Sequence, residues 1–323
     1  MKLLEIENLS IVHNADGVET TLVDDLSYSV SAGETLAIVG ESGSGKSLSS
    51  LALMGLLSKE LQVTSGSVML GGVDLLTLSD EDMRHRRGRD ISMVFQEPMT
   101  SLNPVRNVGS QITESIEENL GMSRAAARMR AIDLLREVGV ADAEQRMRQY
   151  PHHFSGGMRQ RVMIAIALAA EPKLIVADEP TTALDVTIQA QILDLMAKVC
   201  SDHGTALILI THNLGIVARY AARVNVMYGG RIVETGTAAD LYYRPRHHYT
   251  QGLLNSVPRL DQSRDEPLRP IMGNPADPFT SIDGCRFHPR CPNAHDKCRS
   301  QRPQFDGQTA CHFPIAAETL VAS

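Results

Sequence analysis

Gly40-Glu41-Ser42-Gly43-Ser44-Gly45-Lys46-Ser47 follows the apolar run Leu36 to Val39 and precedes the helical stretch Leu48 to Leu57. Its glycines let successive backbone N–H groups approach an anion, and the helix behind them turns its positive end toward it. Lys46 is placed to reach the β and γ phosphates of a nucleoside triphosphate, and the Ser47 hydroxyl to coordinate Mg2+. A fortuitous glycine turn would lack the buried strand before it and the helix after it. The octapeptide therefore predicts an α/β fold built around a phosphate loop.

Four more apolar runs end in polar or glycine residues: Ile91 to Phe95 before Gln96, Leu174 to Ala177 before Asp178, Ala206 to Ile210 before Thr211-His212, and Val224 to Tyr228 before Gly229. Runs without clean alternation suit strands covered on both faces. In open α/β sheets the ligand sits beyond the carboxyl ends of the strands, where these residues fall. Asp178 there can hold a Mg2+-bound water. Glu179 is the candidate for polarising the attacking water, and Gln96 and His212 are candidates for sensing the γ-phosphate. Between Gln96 and residue 170 the pattern is helical, with Ser123 as an N-cap, Met129, Ile132, Leu135 and Val138 at helical spacing, and Gly139 as a stop. The methionines in this stretch read as core filler.

Phe154-Ser155-Gly156-Gly157-Met158 lies just before the acidic strand. Ser155, the two glycine amides and a helix from Gly156 to about Ala170 make a second anion-binding helix start. Together these segments resemble the ATP-binding subunits of ABC transporters: Walker A at Gly40 to Ser47, Q-loop at Gln96, signature at Ser155 to Gly157, Walker B at Leu174 to Asp178, then Glu179, the D-loop Ala183-Leu184-Asp185 and the switch His212. The resemblance implies an ATPase with bound ATP and Mg2+, the metal held by Ser47, Gln96 and Asp178. It also implies a head-to-tail pair of ATPase domains in which Ser155, Gly156 and Gly157 act on the partner's ATP. Two positions depart from the pattern: Met158 stands where Gln is usual, and His13 where an aromatic residue normally stacks on adenine.

Glu97-Pro98-Met99-Thr100-Ser101-Leu102-Asn103-Pro104 and Arg244-Pro245-Arg246-His247-His248-Tyr249-Thr250 resemble the peptide/nickel importer family, dipeptide or oligopeptide D-subunit type. That resemblance implies a second, paralogous ATPase, two transmembrane permeases, an extracytoplasmic solute-binding protein, and a place on the cytoplasmic face of the inner membrane. The permease contact is expected around Gln96 to Asn103, with Tyr150 to His153 nearby. Di- or oligopeptides are the expected solute, with a nickel chelate as the alternative. A soluble repair-type ABC ATPase usually carries a long coiled coil between the loop and the signature, whereas only 107 residues separate Ser47 from Ser155. A translation-factor type would carry two ATPase domains in one chain.

Across 323 residues, 43% hydrophobic and 21% charged side chains describe an ordinary globular chain. A net charge of −7 gives no reason to expect nucleic acid, and Arg84-His85-Arg86-Arg87-Gly88-Arg89 reads as a solvated face. The N-terminus carries acids where a signal peptide needs an apolar core, and the longest apolar run, Val162 to Ala170, is too short to span a bilayer. The expected organisation is an ATPase domain over 1–257, with a helical subdomain over about 97–170, and an extension over 258–323.

The extension is rich in Pro, Asp, Arg and Gly and carries Cys285, Cys291, Cys298 and Cys311. A core-poor segment with four thiols suggests a crosslink. No tight Cys-x-x-Cys pair is present for zinc, and four thiolates also suit an iron–sulfur cluster. The family resemblance favours a [4Fe-4S] cluster on these four cysteines, with Zn2+ or unligated thiols as alternatives. His288, His295 and His312 flank them, and Cys200 reads as a buried helical residue.

Overall fold

The computed structural model describes residues 2–15, 17–97, 101–182, 184–257, 270–280 and 282–316. The linker Asp265-Glu266-Pro267, the Pro98 to Thr100 part of the post-Gln96 segment and Ala183 lie outside them. The chain divides into two compact units: Met1–Leu3, Val30–Thr35 and Asp74–Ile210 form the first, and Leu4–Ser29, Leu36–Val73 and Thr211–Ser323 the second.

The second unit holds a sheet of β1 (Lys2–Ala15), β2 (Val18–Ser31), β4 (Leu61–Leu70) and β5 (Val73–Asp74), in the order β2-β1-β4-β5, with β1 and β4 antiparallel. Leu4 pairs with Leu70 and Ile6 with Val68 before the register shifts between Glu7 and Ser10. That irregularity carries Leu9 and Ile11 inward although they no longer follow the parity of Leu4 and Ile6 in a regular strand. These strands are not uninterrupted apolar runs, because most of their exposed positions are polar, among them Glu7, Asn8, Glu19, Asp25, Ser27, Gln62 and Thr64.

The same unit contains β3 (Thr35–Val39), followed by α1 (Lys46–Leu53). β9 (Arg223–Tyr228) lies parallel to β3, and β10 (Arg231–Thr237) antiparallel to β9. Ala37, Val39, Val224, Val226 and Tyr228 from these strands share one core with Val217 of α8 (Leu214–Tyr220), Leu241 of α9 (Ala238–Tyr243), Tyr249 of α10 (His248–Asn255) and Phe287 of the C-terminal region.

In the first unit, β6 (Ile91–Val94), β7 (Leu174–Asp178) and β8 (Ala206–Thr211) run parallel. β7 is buried at all five positions, as an uninterrupted apolar run requires. Between α2 (Asp80–Arg86) and β7 lie α3 (Val108–Leu120), α4 (Arg124–Glu137), α5 (Ala143–Arg146) and α6 (Gly156–Leu168); α7 (Val186–His203) follows β7. Helices α3, α4 and α6 pack on one another. Ser123 caps α4 by accepting the Ala126 N–H, and Ile132, Leu135 and Val138 are buried as the spacing predicts. Met129 is 58% exposed, so it is not core filler. The inward stripe of α4 runs instead through Ala127, Ala131 and Leu134, and Met129 falls off it.

Cys200, on α7, is buried, and burial pushes its thiol up to about 12. Among the described residues no helix is long and apolar enough to cross a membrane. The last described helix, α11, is Asp296–Ser300.

Candidate nucleotide site

Loop 40–47 joins β3 to α1 inside the second unit. A Cβ at Gly40 would collide with the Met227 carbonyl oxygen of β9, so the loop leaves the strand where only glycine fits. Gly45 takes the left-handed conformation, φ 95°, as the N-cap of α1, and the first turn of that helix has no acidic residue. Lys46 is buried, and its Nζ donates to the carbonyls of Gly40 (2.7 Å) and Glu41 (2.8 Å) and to Ser44 Oγ (3.2 Å). The Ser44 carbonyl accepts the Gly230 N–H at 3.0 Å. Ser42, Gly43 and Ser47 face outward, and nothing stands within 4 Å of a Cβ built on Gly43. A buried ammonium behind an open backbone, at a helix start that carries no acid, fits an anionic polyphosphate.

Two contacts flank Glu41, and neither was foreseeable from local sequence. Tyr249 Oη accepts the Glu41 N–H at 2.8 Å, and Arg290 donates to both Glu41 carboxylate oxygens, at 2.5 and 3.0 Å. They lie 208 and 249 residues away along the chain, so no short-range pattern could have revealed them. His13, on β1, meets Phe279 edge to face with ring centroids 5.5 Å apart. Phe279, Thr20, Gly43, Gly229 and Arg286 line a cavity of about 320 Å3 in this unit. His212 is exposed, one residue beyond β8.

The first unit carries the acidic strand end. Asp178 closes β7 and is buried. Glu179 follows with φ 45°, a left-handed conformation uncommon for a side-chain-bearing residue, and its N–H donates to the Ile210 carbonyl at 3.0 Å. One carboxylate oxygen of Glu179, Oε2, accepts from Gln96 Nε2 at 3.4 Å and from Thr182 Oγ1 at 2.8 Å. The structure thus brings Gln96 and Glu179 together, and Thr182 joins them without having been singled out in the sequence.

The segment before α6 is built as a helix start. Ser155 is the N-cap, its Oγ accepting the Met158 N–H at 3.4 Å, with Ser155 and Gly156 exposed. Phe154 is buried under the Arg146 guanidinium, and Arg159 Nε donates to the Pro151 carbonyl at 2.9 Å. Gln160 is buried, so its side chain does not share the exposed face of the helix start with Ser155.

The four-cysteine cluster is corrected. Among the described residues, no group of three or more His, Cys, Asp or Glu side chains comes together that could hold a metal ion. Cys285, Cys291, Cys298 and Cys311 are free thiols; burial pushes Cys285 and Cys291 up and Cys311 up to about 11. The extension docks by other means, which removes the reason for a crosslink. Phe287 is buried against Tyr228 and Tyr249, Arg286 donates to Asp24 (2.9 Å) and to the Gly229 carbonyl, and the Thr235 N–H reaches the Gln308 carbonyl at 2.8 Å.

A phosphate loop on one strand and an acid pair ending another define an ATPase of the P-loop class. Residues 23–182 match the ABC transporter family, and residues 233–298 the family described as oligopeptide/dipeptide transporter, C-terminal region. The oligopeptide transport ATP-binding protein AppD of Bacillus subtilis is 51% identical over 94% of this chain and 92% of its own length. The dipeptide transport ATP-binding protein DppD of Escherichia coli is 47% identical over 98% of each. A dimeric ATP-binding cassette solved in a post-hydrolysis state with ADP and phosphate superposes with a TM-score of 0.65, at 25% identity, over 73% of this chain and 98% of that one. The chain belongs to the ABC transporter ATP-binding proteins, in the oligopeptide/dipeptide transport family. Its fold is that of the ABC ATPase cassette.

Proposed function

We propose that this chain is the ATP-hydrolysing motor subunit of a membrane importer of di- or oligopeptides, working from the cytoplasmic face of the inner membrane. The observation that carries the import reading is the second family match, because residues 233–298 follow the peptide-transporter C-terminal region rather than the ATPase cassette alone. The ATPase domain covers 1–257 with its helical subdomain over about 97–170, and the extension covers 258–323.

Lys46 and the amides of Gly43 to Ser47 hold the phosphates, and His13 stacks on the base. Ser47, Asp178 and Gln96 hold Mg2+, whose charge, when bound, offsets that of the phosphates. Glu179 orients and polarises the attacking water, and Gln96 and His212 report on the γ-phosphate end. The Gln96 and Thr182 hydrogen bonds support that role, since both fix one Glu179 oxygen.

Ser155, Gly156 and Gly157 serve the ATP of a second ATPase subunit, a paralogue. The exposure of Ser155 and Gly156 at the start of α6 supports this. Residues 96–103 and 150–153 meet one of two permeases. In their neighbourhood the Val108 N–H bonds the Gln149 carbonyl at 2.9 Å and Val105 is 79% exposed. A solute-binding protein delivers the peptide. The test is reconstitution with the neighbouring permeases, paralogous ATPase and binding protein in vesicles. ATP-dependent uptake of labelled dipeptides supports the reading, and uptake of a nickel chelate with no peptide uptake overturns the solute.

A further inference from the structure

We propose that the C-terminal extension is a working part of the nucleotide site, with Arg290 a positioning residue that acts through Glu41 on Lys46. The proposal rests on the ATP-binding reading above. Glu41 is held from two sides: Arg290 takes its carboxylate in a bidentate pair, and Tyr249 Oη takes its backbone N–H. The Glu41 carbonyl is among the acceptors that hold the Lys46 ammonium, beside the Gly40 carbonyl and Ser44 Oγ. A shift of Glu41 therefore moves the cradle of the phosphate-binding lysine.

Arg290 is itself fixed. Its side chain is 6% exposed, its guanidinium lies 5.9 Å from the Tyr228 ring centroid, and its Nε donates to the Met272 carbonyl at 3.1 Å. Paired, bidentate and part-buried, with the Glu41 side chain 25% exposed, this contact is more constraining than a fully exposed ion pair. Tyr249 is equally anchored, fully buried against Tyr228 and Phe287. Its helix starts at His247, whose backbone N–H and that of Arg246 bond the buried Glu234 carboxylate at 2.9 and 2.5 Å. The stretch Arg244 to Thr250, which no step of ATP hydrolysis uses, thereby delivers the Tyr249 hydroxyl to the phosphate loop.

The test measures binding of a fluorescent ATP analogue and steady-state ATPase parameters on the full chain in its transporter complex, with thermal melting alongside. Arg290→Ala should weaken analogue binding and raise the KM for ATP by about tenfold, with kcat within about twofold, because a charged hydrogen-bonded pair is lost outside the reacting atoms. Tyr249→Phe should do the same to a smaller degree. The double variant Glu41→Arg/Arg290→Glu should recover much of the binding that Arg290→Glu alone loses, which a merely destabilised fold would not do. Unchanged KM and analogue affinity in a folded Arg290→Ala protein overturn the proposal. So does a loss that tracks melting temperature without recovery in the double variant. Wild-type protein that fails to bind the analogue refutes the ATP-binding reading itself, and the positioning role with it.

Discussion

Gln96 Nε2 donates to Glu179 Oε2 at 3.4 Å, although 83 residues separate the two in the chain. Thr182 donates to the same oxygen at 2.8 Å. The carboxylate assigned to the attacking water is thus oriented from two sides, at a residue whose backbone is itself held in the left-handed region. Orientation of this kind matters most in phosphoryl transfer, where positioning supplies much of the catalysis.

Removing one of these anchors should slow chemistry more than binding. Gln96→Ala is expected to lower kcat by about tenfold or more, close to 1.4 kcal/mol of barrier, with a smaller loss of ATP affinity from its part in holding Mg2+. Steady-state ATPase assays of the assembled complex against ATP concentration check the split.

Lys46→Ala removes the buried ammonium that the loop carbonyls hold. Nucleotide binding should fall by about a hundredfold, since a charged group facing phosphates is lost. Equilibrium titration with a fluorescent ATP analogue reads this directly.

Phe287 ties the extension to the core of its unit, so truncation leaves a cavity beside Tyr228 and Tyr249. Phe287→Ala should cost about 3–5 kcal/mol of stability. Denaturant unfolding checks the magnitude.

His247 is buried, and burial, followed by the charge of His248, lowers it from its usual 6.5 to about 3. Between those values the unfolded chain binds a proton that the folded chain excludes. Stability should therefore fall by about 1.4 kcal/mol per unit as pH drops from 6.5 toward 3, and this group should contribute no slope above 6.5. His247→Asn keeps a capping side chain for the Tyr249 N–H. It should flatten that part of the profile, as melting curves at pH 5, 6 and 7.5 would show.

The parallel strands and their polar ends were legible because a short uninterrupted apolar run that stops at a polar residue suits a strand buried on both faces. The strand–loop–helix around Lys46 and the helix start at Ser155 were legible because each needs particular residues at fixed spacing. Strands β1, β2 and β4 were missed for the opposite reason, their exposed positions being mostly polar and the β1–β4 register broken after Glu7. Met129 misled because spacings of three, taken alone, drift off a helix face. The four cysteines suggested a crosslink because a Pro-rich segment looked unable to bury a core of its own, and the family resemblance turned that crosslink into an iron–sulfur cluster. The Phe287 side chain uses a core that already exists. Thr182, Tyr249 and Arg290 could not be singled out, since a threonine, a tyrosine or an arginine declares its partner only once the chain is folded.

The central claim is that Glu179 activates water for ATP hydrolysis. Its most direct test is Glu179→Gln in the permease-containing complex, measuring ATP binding and phosphate release together. The account predicts retained ATP binding and turnover reduced by at least about a hundredfold, the scale of a lost general base. Phosphate release at the wild-type rate would contradict it.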